Sequence, residues 1–272
     1  MLHGGDGAPG EPAAPSPLRP EVLTALRSAS TATLATQLYK RGIRQPFLRG
    51  VAPIGEGVDG FAGEAFTVRF IPAREDVDVV GDPYRTGNTL QWEAIELVQQ
   101  GQVLVVDSRQ DTSAASGGDI LLLRAMRRGA AGFVTDGALR DAHALRGLPF
   151  ATYAAGVAAT TRPSSFHVAD LQQPIACAGV AVYPGDILVG DRDGVVVVPR
   201  ALAPEIAGPA AEQEELEVYL HRRIDAGEPL WGVYPPDETT LQEYREWRRV
   251  RAADGKRHAG GAAHGPGEKA AP

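Results

Sequence analysis

Apolar positions along this chain fall into short runs separated by glycine-rich and charged segments. Ala65-Phe66-Thr67-Val68-Arg69-Phe70 alternates apolar and polar, the period of a half-buried strand. Val103-Leu104-Val105-Val106 (ending in Asp107) and Gly132 to Thr135 are apolar runs, the pattern of buried strands, and Val195 to Val198 is a further strand. Pro149 to Tyr153, Val180 to Tyr183 and Ile187 to Gly190 are further short strands. Helical spacing fills the intervals. One helical stretch runs from Pro20 to about Arg41, with Ser28, Ser30, Thr31 and Thr33 marking a break and Gly42 a stop. Asn88-Thr89-Leu90-Gln91 has the form of an N-cap with its reciprocal partner, opening a helix to about Gln99. Ser116-Gly117-Gly118-Asp119 opens a helix from Ile120 to Arg128, closed by Gly129, and Pro204 to Ala226 is a long helix with an acidic face. Strands alternating with helices predict an α/β fold.

The connections are equally legible. Pro184-Gly185-Asp186 and Arg192-Asp193-Gly194 are turn sequences, so Asp186, Asp191 and Asp193 are read as turn residues. Arg74 to Asp78 is a charged loop, Gly81-Asp82-Pro83 a turn, and Ala154 to Pro163 a small-residue loop. Gly55 to Gly60 formally matches GxGxxG, yet a strand pattern follows it where a dinucleotide site needs a helix, so it is set aside. Residues 1–18 and 252–272 are rich in Gly, Ala and Pro and are expected to be disordered arms flanking an ordered region, 19–251. The stretch Pro229 to Arg251, with Trp231, Tyr234, Tyr244 and Trp247, is expected to be an ordered, helical C-terminal extension.

The chemistry concentrates at Gly132 to Asp141. A buried strand enters what reads as a tight Asp136-Gly137 turn, after which Arg140 and Asp141 stand side by side. A guanidinium grips a carboxylate or phosphate in bidentate fashion, and an aspartate holds a hard divalent cation. A surface ion pair capping a loop would leave the same sequence. Gly117 and Gly118 at a helix start leave backbone N–H groups facing one spot, where the helix dipole favours an anion, although plain capping would also place glycines there. Asp107 is a second strand-end carboxylate with either a structural or a site-lining role.

Composition narrows the classes. The 272 residues carry a formal net charge of −7, which gives no support to a nucleic-acid partner. No apolar run approaches a membrane span and no apolar leader begins the sequence, so no membrane association is expected. The single cysteine, Cys177, sits among small apolar residues; it reads as a buried hydrophobe in a cytoplasmic protein. The lysines are Lys40, Lys256 and Lys269, none in a setting suited to a Schiff base. No His-x-His or His-Glu-x-x-His spacing favours zinc.

Taken together, Gly117-Gly118-Asp119-Ile120, Gly132-Phe133-Val134-Thr135-Asp136-Gly137 with Arg140-Asp141, Val182-Tyr183-Pro184-Gly185-Asp186 and Asp191-Arg192-Asp193-Gly194-Val195 resemble, in order and spacing, one superfamily. It contains 4-hydroxy-4-methyl-2-oxoglutarate aldolase and the regulator of ribonuclease activity A, and the resemblance spans about Thr31 to Trp247. Members once labelled menaquinone methyltransferases belong to it, but no cofactor loop of that kind is present here. The resemblance implies a swivelling β/β/α fold, here a single domain with helical N- and C-terminal extensions, assembled as a trimer or hexamer with sites between subunits. It implies a divalent cofactor, Mg²⁺ or Mn²⁺, held directly by Asp141, with Asp119 just outside the directly bound set. Arg140 would bind the carboxylate and oxo group of a 2-oxo acid substrate, and the amides of Gly117, Gly118, Asp119 and Ile120 would hold the carboxylate. A glutamate from a neighbouring subunit, Glu212 or Glu215, is where a further contribution is expected.

The implied reaction is that of a metal-dependent (class II) aldolase or carbon–carbon lyase. Cleaving a 4-hydroxy-2-oxo acid or decarboxylating oxaloacetate leaves the same pyruvate enolate, which a Lewis-acidic cation and Arg140 would stabilise. Two rivals remain: the same site turned to dehydration or isomerisation of a sugar-acid-like substrate, and a protein-binding regulator of ribonuclease activity acting through an acidic surface.

Overall fold

The computed structural model describes residues 18–55, 60–76, 78 and 89–261, with side chains described up to Arg251. The predicted Gly81-Asp82-Pro83 turn and the arms 1–17 and 262–272 lie outside these residues. The chain divides into two compact units at Gly208/Pro209.

The first unit begins with helices α1 (Pro20–Ser28) and α2 (Thr31–Tyr39), so the predicted break falls at Ala29-Ser30. Ser30 caps α2 by accepting from Thr33 N at 3.0 Å. Asp191 accepts from Thr31 N and from the Thr31 hydroxyl at 2.7 and 2.9 Å, fixing α2 to the turn that was read as structural.

The remaining elements of this unit are β1 (Ala52–Pro53), β2 (Phe61–Pro72), α3 (Leu90–Leu97), β3 (Gln102–Asp107), α4 (Asp119–Arg127), β4 (Gly132–Leu139), α5 (Ala142–Arg146) and β5 (Ala151–Val157). A 3-10 turn (Arg162–Ser164) and strands β6 (Phe166–Leu171), β7 (Ile175–Cys177), β8 (Val180–Val182), β9 (Ile187–Gly190) and β10 (Val195–Val198) follow. Strands β2, β3, β4 and β5 are parallel neighbours linked through helices α3, α4 and α5. The sheet runs β1-β5-β4-β3-β2-β9-β10, with β6 also on β2 and β7-β8 a separate pair.

Side-chain alternation explains the layers. Leu104, Val106 and Phe133 point to one face and pack with Ala94, Ile95, Leu122 and Leu145 of the helices. Their neighbours Val103, Val105 and Val134 point the other way and pack with Ile175, Val182, Leu188 and Val197. Both faces are therefore buried, as the unbroken apolar runs require. The result is a helix layer, a parallel sheet, and a second β layer formed where β9 and β10 and the β7-β8 pair fold over it. The segment from Pro46 to Pro53 bonds to β10 at one end, through Phe47 and Val196, and to β5 at the other, through Ala52 and Ala154. It thereby covers two edges that would otherwise carry unpaired backbone groups.

Several elements depart from the sequence expectations. Asp136-Gly137 is not a turn: β4 continues through both to Leu139, fully buried. The Asp136 carboxylate accepts from Ser108 N, Gln110 N and Ala178 N at 2.7, 3.1 and 3.0 Å, so its polarity is met by loops distant in sequence. The Ala154–Pro163 loop is partly strand, since β5 reaches Val157. Asp107 is structural, accepting from Arg109 N and Ala176 N. Thr89, at the cap of α3, makes no capping bond, and Gln91 is used elsewhere; Asn88 lies outside the described residues.

The long helix α6 (Ala203–Asp225) contains Pro209, which has no N–H to offer the Glu205 carbonyl. Arg41 Nη2 donates to that carbonyl instead, at 3.2 Å. The second unit starts at this proline. Within it, Tyr219, Tyr244 and Trp247 form an aromatic cluster with ring centroids 5.3–6.2 Å apart. Helix α7 (Glu238–Gly261) continues past Arg251, where a disordered tail was expected. Among the described residues no helix is long and apolar enough to cross a membrane.

Candidate active site

The parallel strands end on one side of the sheet, and ligands of open α/β folds gather at such strand ends. The segment after β3 returns there as an extended ribbon against the end of β4: Ser116 N donates to Ala138 O at 2.7 Å and Arg140 N to Gly117 O at 3.1 Å. Gly117 and Gly118 are thereby laid beside Arg140 and Asp141, twenty-odd positions away in sequence. Beneath them lies a closed cluster of hydroxyls, with Ser108 Oγ 2.5 Å from Ser116 Oγ and 3.1 Å from Thr135 Oγ1. Gly137 fits over this cluster because it has no side chain; a Cβ there would lie 2.5 Å from Ser108 Cβ.

The two glycines do different work. A Cβ on Gly117 would point into the core, towards Leu122 and Leu139. A Cβ on Gly118 would lie 2.6 Å from Asp141 Oδ2 and 3.0 Å from Arg140 Nε, inside the space those two groups occupy. Gly118 is also the N-cap of α4, whose first-turn N–H groups have no acceptor within the helix. The Ile120 amide is the exception, since it donates to Asp119 Oδ1 at 2.7 Å. The amide cradle expected from Gly117 to Ile120 is thus shorter by one free donor.

Asp141 occupies the left-handed region, φ 58° and ψ 33°, at the start of α5. Non-glycine residues adopt it rarely, aspartate more readily than most. An aspartate at a helix start normally caps it, but this side chain makes no capping bond and turns to Arg140, with Oδ2 3.2 Å from Nε. Both side chains are close to half exposed, and such an ion pair contributes at most about 1 kcal/mol to stability. The left-handed backbone and the unused cap leave the Asp141 carboxylate on Arg140, whose side chain lines a cleft.

That cleft, roughly 270 Å³, is lined by Gly117, Gly118, Asp119 and Arg140 on its polar side. Trp92, Ile120, Leu121 and Pro163 supply apolar wall, and Gln91 and Arg162 line it as well. Sequence reading missed these last two. Arg162 stood in a segment read as loop, and Gln91 had been assigned to a helix cap; no local pattern signals either.

The donor set suits a hydrated hard cation. Among the described residues no three His, Cys, Asp or Glu side chains converge, and Mg²⁺ or Mn²⁺ is commonly held by one or two carboxylates with water completing the shell. Asp141 offers such a carboxylate: exposed, uncommitted to backbone, and beside an open cleft. Glu212 and Glu215 lie in the second unit, where Arg248 is within 3.6 Å of Glu212 and 2.8 Å of Glu215.

A β/β/α sandwich with these groups at its parallel strand ends is a swivelling β/β/α protein, as the family resemblance implied. Residues 31–197, more than half of the chain, match the RraA-like family model described as Aldolase/RraA, and the chain belongs to that family. A protein of Halalkalibacterium halodurans provisionally named a 4-hydroxy-4-methyl-2-oxoglutarate aldolase is 34% identical over 179 residues, 63% of this chain and 82% of that protein. Among solved structures, Streptomyces coelicolor RraAS2, described as an unusual member of the RNase ES inhibitor RraA family, is 33% identical. It matches with a TM-score of 0.69, covering 75% of this chain and 98% of that one. An uncharacterized protein from Pseudomonas syringae pv. tomato is 26% identical with a TM-score of 0.69, covering 80% and 99%.

Proposed function

We propose that the cleft binds a 2-oxo acid and that the protein is a divalent-cation-dependent carbon–carbon lyase. It would cleave 4-hydroxy-2-oxo acids, decarboxylate oxaloacetate, or both, releasing pyruvate. The observation that carries this reading is the convergence of Gly118, Arg140 and Asp141, where a missing side chain leaves room for a guanidinium and a carboxylate at a helix N-terminus. The aldolase name of the Halalkalibacterium relative supports it.

Arg140 would engage the substrate's carboxylate and 2-oxo oxygen, two acceptors that a planar guanidinium can meet together. Negative charge grows on the oxo oxygen as the C3–C4 bond breaks, and a fixed cation beside it lowers that barrier. The unpaired amides at the start of α4 add partial positive charge to the carboxylate end. Asp141 would hold Mg²⁺ or Mn²⁺, with Asp119 on the same rim. When bound, the cation supplies Lewis acidity to the 2-oxo group. Trp92, Leu121 and Pro163 give the cleft an apolar wall, beside which each of these charge interactions would be stronger than in open water. We place the protein in the cytoplasm as a homo-oligomer, trimer or hexamer, in keeping with its family.

The test is pyruvate release from oxaloacetate and from 4-hydroxy-2-oxoglutarate with Mg²⁺ or Mn²⁺, repeated in EDTA. Turnover that EDTA abolishes is expected; turnover indifferent to EDTA would overturn the cation's role. The name of the Streptomyces relative, a member of the RNase ES inhibitor RraA family, favours a second reading, inhibition of a ribonuclease. Absence of pyruvate together with inhibition of such a ribonuclease would replace the lyase reading with that one.

A further inference from the structure

The cleft contains a second cation that the 2-oxo acid chemistry at Arg140 does not use. Arg162 opens the 3-10 turn after β5 and is 7% exposed. Its Nε donates to Gln91 Oε1 at 3.0 Å and its Nη1 to the Phe166 carbonyl at 3.2 Å. The guanidinium lies over the Phe70 ring, 5.9 Å from its centroid. Gln91 is itself fixed, since its Nε2 donates to Ser116 O at 2.6 Å. Backbone contacts of Ala115 with Thr161 and Thr160 tie the Arg162 segment to the ribbon that carries Gly117 and Gly118. The guanidinium is therefore held rigidly against the same framework as Arg140.

Its partners are neutral. Among the described residues no carboxylate lies within ion-pair distance of Arg162, and Nη2 has no acceptor. The charge that reaches it belongs to Asp78, whose Oδ2 already faces the His167 ring at 2.9 Å and accepts from Arg74 N at 2.8 Å. A buried guanidinium without a counter-ion is costly, and burial depresses its pKa. An anion entering the cleft would supply the counter-ion that Arg162 lacks among the described residues. The open side of Arg162 faces the cleft, with Trp92 and Pro163 as apolar wall alongside.

We infer that Arg162, positioned by Gln91, is a second anion receptor, so that the cleft selects ligands bearing a distal carboxylate or phosphate in addition to the 2-oxo acid group. The inference rests on the 2-oxo acid reading of the Arg140 end. Arg140 would take the reacting end and Arg162 the remote end, and the apolar wall of the same cleft would take the connecting methylenes. Binding energy at the remote anion would orient the reacting bond without touching it.

Three non-cleavable probes test this by calorimetric titration of the full chain in Mg²⁺ buffer. 2-Oxoglutarate and 2-oxopentanoate share a five-carbon backbone and differ by one distal carboxylate, and 2-oxo-4-phosphonobutanoate replaces that carboxylate by a phosphonate. Wild type should bind 2-oxoglutarate roughly 10- to 100-fold more tightly than 2-oxopentanoate, the value of a charge-assisted bond. Arg162→Gln should bring that ratio to about one by weakening the dianion alone, and Arg162→Lys should restore part of it. A ratio of dissociation constants measured on one sample does not depend on the folded fraction, so partial unfolding cannot mimic the result. Tighter binding of the phosphonate would assign the distal group as phosphate, and tighter 2-oxoglutarate as carboxylate. Equal affinity for the two five-carbon acids in wild type, or a preference that survives Arg162→Gln, would overturn the inference and leave the lyase reading intact. A clear dianion preference in a protein that releases no pyruvate would keep the receptor and sink the lyase reading. No binding of any probe would overturn both.

Discussion

Gly118→Ala separates the site from the fold. The added methyl would lie 2.6 Å from Asp141 Oδ2 and 3.0 Å from Arg140 Nε, against 3.4 Å or more for ordinary contact. The carboxylate must therefore retreat by about 0.8 Å, and a displacement near 1 Å at a reacting centre costs roughly 100-fold in rate. The effect on stability should be small. Gly118 is extended, φ −147° and ψ −178°, a conformation alanine adopts freely. Removing glycine's freedom in the unfolded chain stabilises by about 0.4–1 kcal/mol, and losing glycine at an N-cap costs a comparable amount. The melting temperature should stay within about 4 °C of wild type while kcat/KM for pyruvate release falls roughly 100-fold. A variant that melts normally and retains more than half of wild-type kcat/KM would refute the assignment of that space to the reacting groups.

Two further substitutions probe the support beneath the site. Gly137→Ala would press a methyl to 2.7 Å from both Ser108 Oγ and Ser116 Oγ inside a buried, fully bonded cluster, so the urea midpoint should drop by the equivalent of about 1–3 kcal/mol. Asp136→Asn keeps the shape but only one acceptor oxygen for three N–H donors, and should cost about 1–3 kcal/mol. The pH dependence of that loss has a definite sign. Burial raises the Asp136 pKa above the ordinary aspartate value, an effect the Asp107 charge adds to. Between those two values the folded state binds more protons than the unfolded one, so wild-type stability from this group grows as pH falls. The stability gap between wild type and Asp136→Asn should therefore widen on going from pH 7 towards pH 4, as read by denaturant titration, and a narrowing gap would contradict it.

What the sequence revealed follows how local the determining forces are. Val103 to Val106 was legible as a buried strand because its apolarity alone demands covered faces, and Val195 to Val198 was legible as a strand. The Gly117-Gly118 and Arg140-Asp141 pairs each also suit a plain cap or a surface ion pair, and only their combined order and spacing singled them out; the structure lays them side by side. Asp136-Gly137 misled, since an aspartate followed by glycine is a turn signal unless something remote satisfies the carboxylate. Here Ser108, Gln110 and Ala178 do so. Gln91 misled similarly: three places after Asn88 it suits a reciprocal cap, yet its partners are Ser116 and Arg162. Arg162 was invisible because a lone arginine in a small-residue segment carries no pattern, and its burial arises only when β6, α3 and the 3-10 turn meet. Gly118 was assigned for its amide, whereas the structure uses equally the side chain it lacks.

The central claim is that Asp141, beside Arg140, makes this cleft a 2-oxo acid lyase site. It is tested most directly by measuring pyruvate release from oxaloacetate and 4-hydroxy-2-oxoglutarate by wild type and Asp141→Ala in parallel, each saturated with Mn²⁺. Because the Arg140–Asp141 pair adds at most about 1 kcal/mol to stability, the variant should fold, yet its Mn²⁺-dependent turnover should fall at least roughly 1,000-fold, to the background of the free ion. A folded Asp141→Ala protein that releases pyruvate at the wild-type rate would contradict the account.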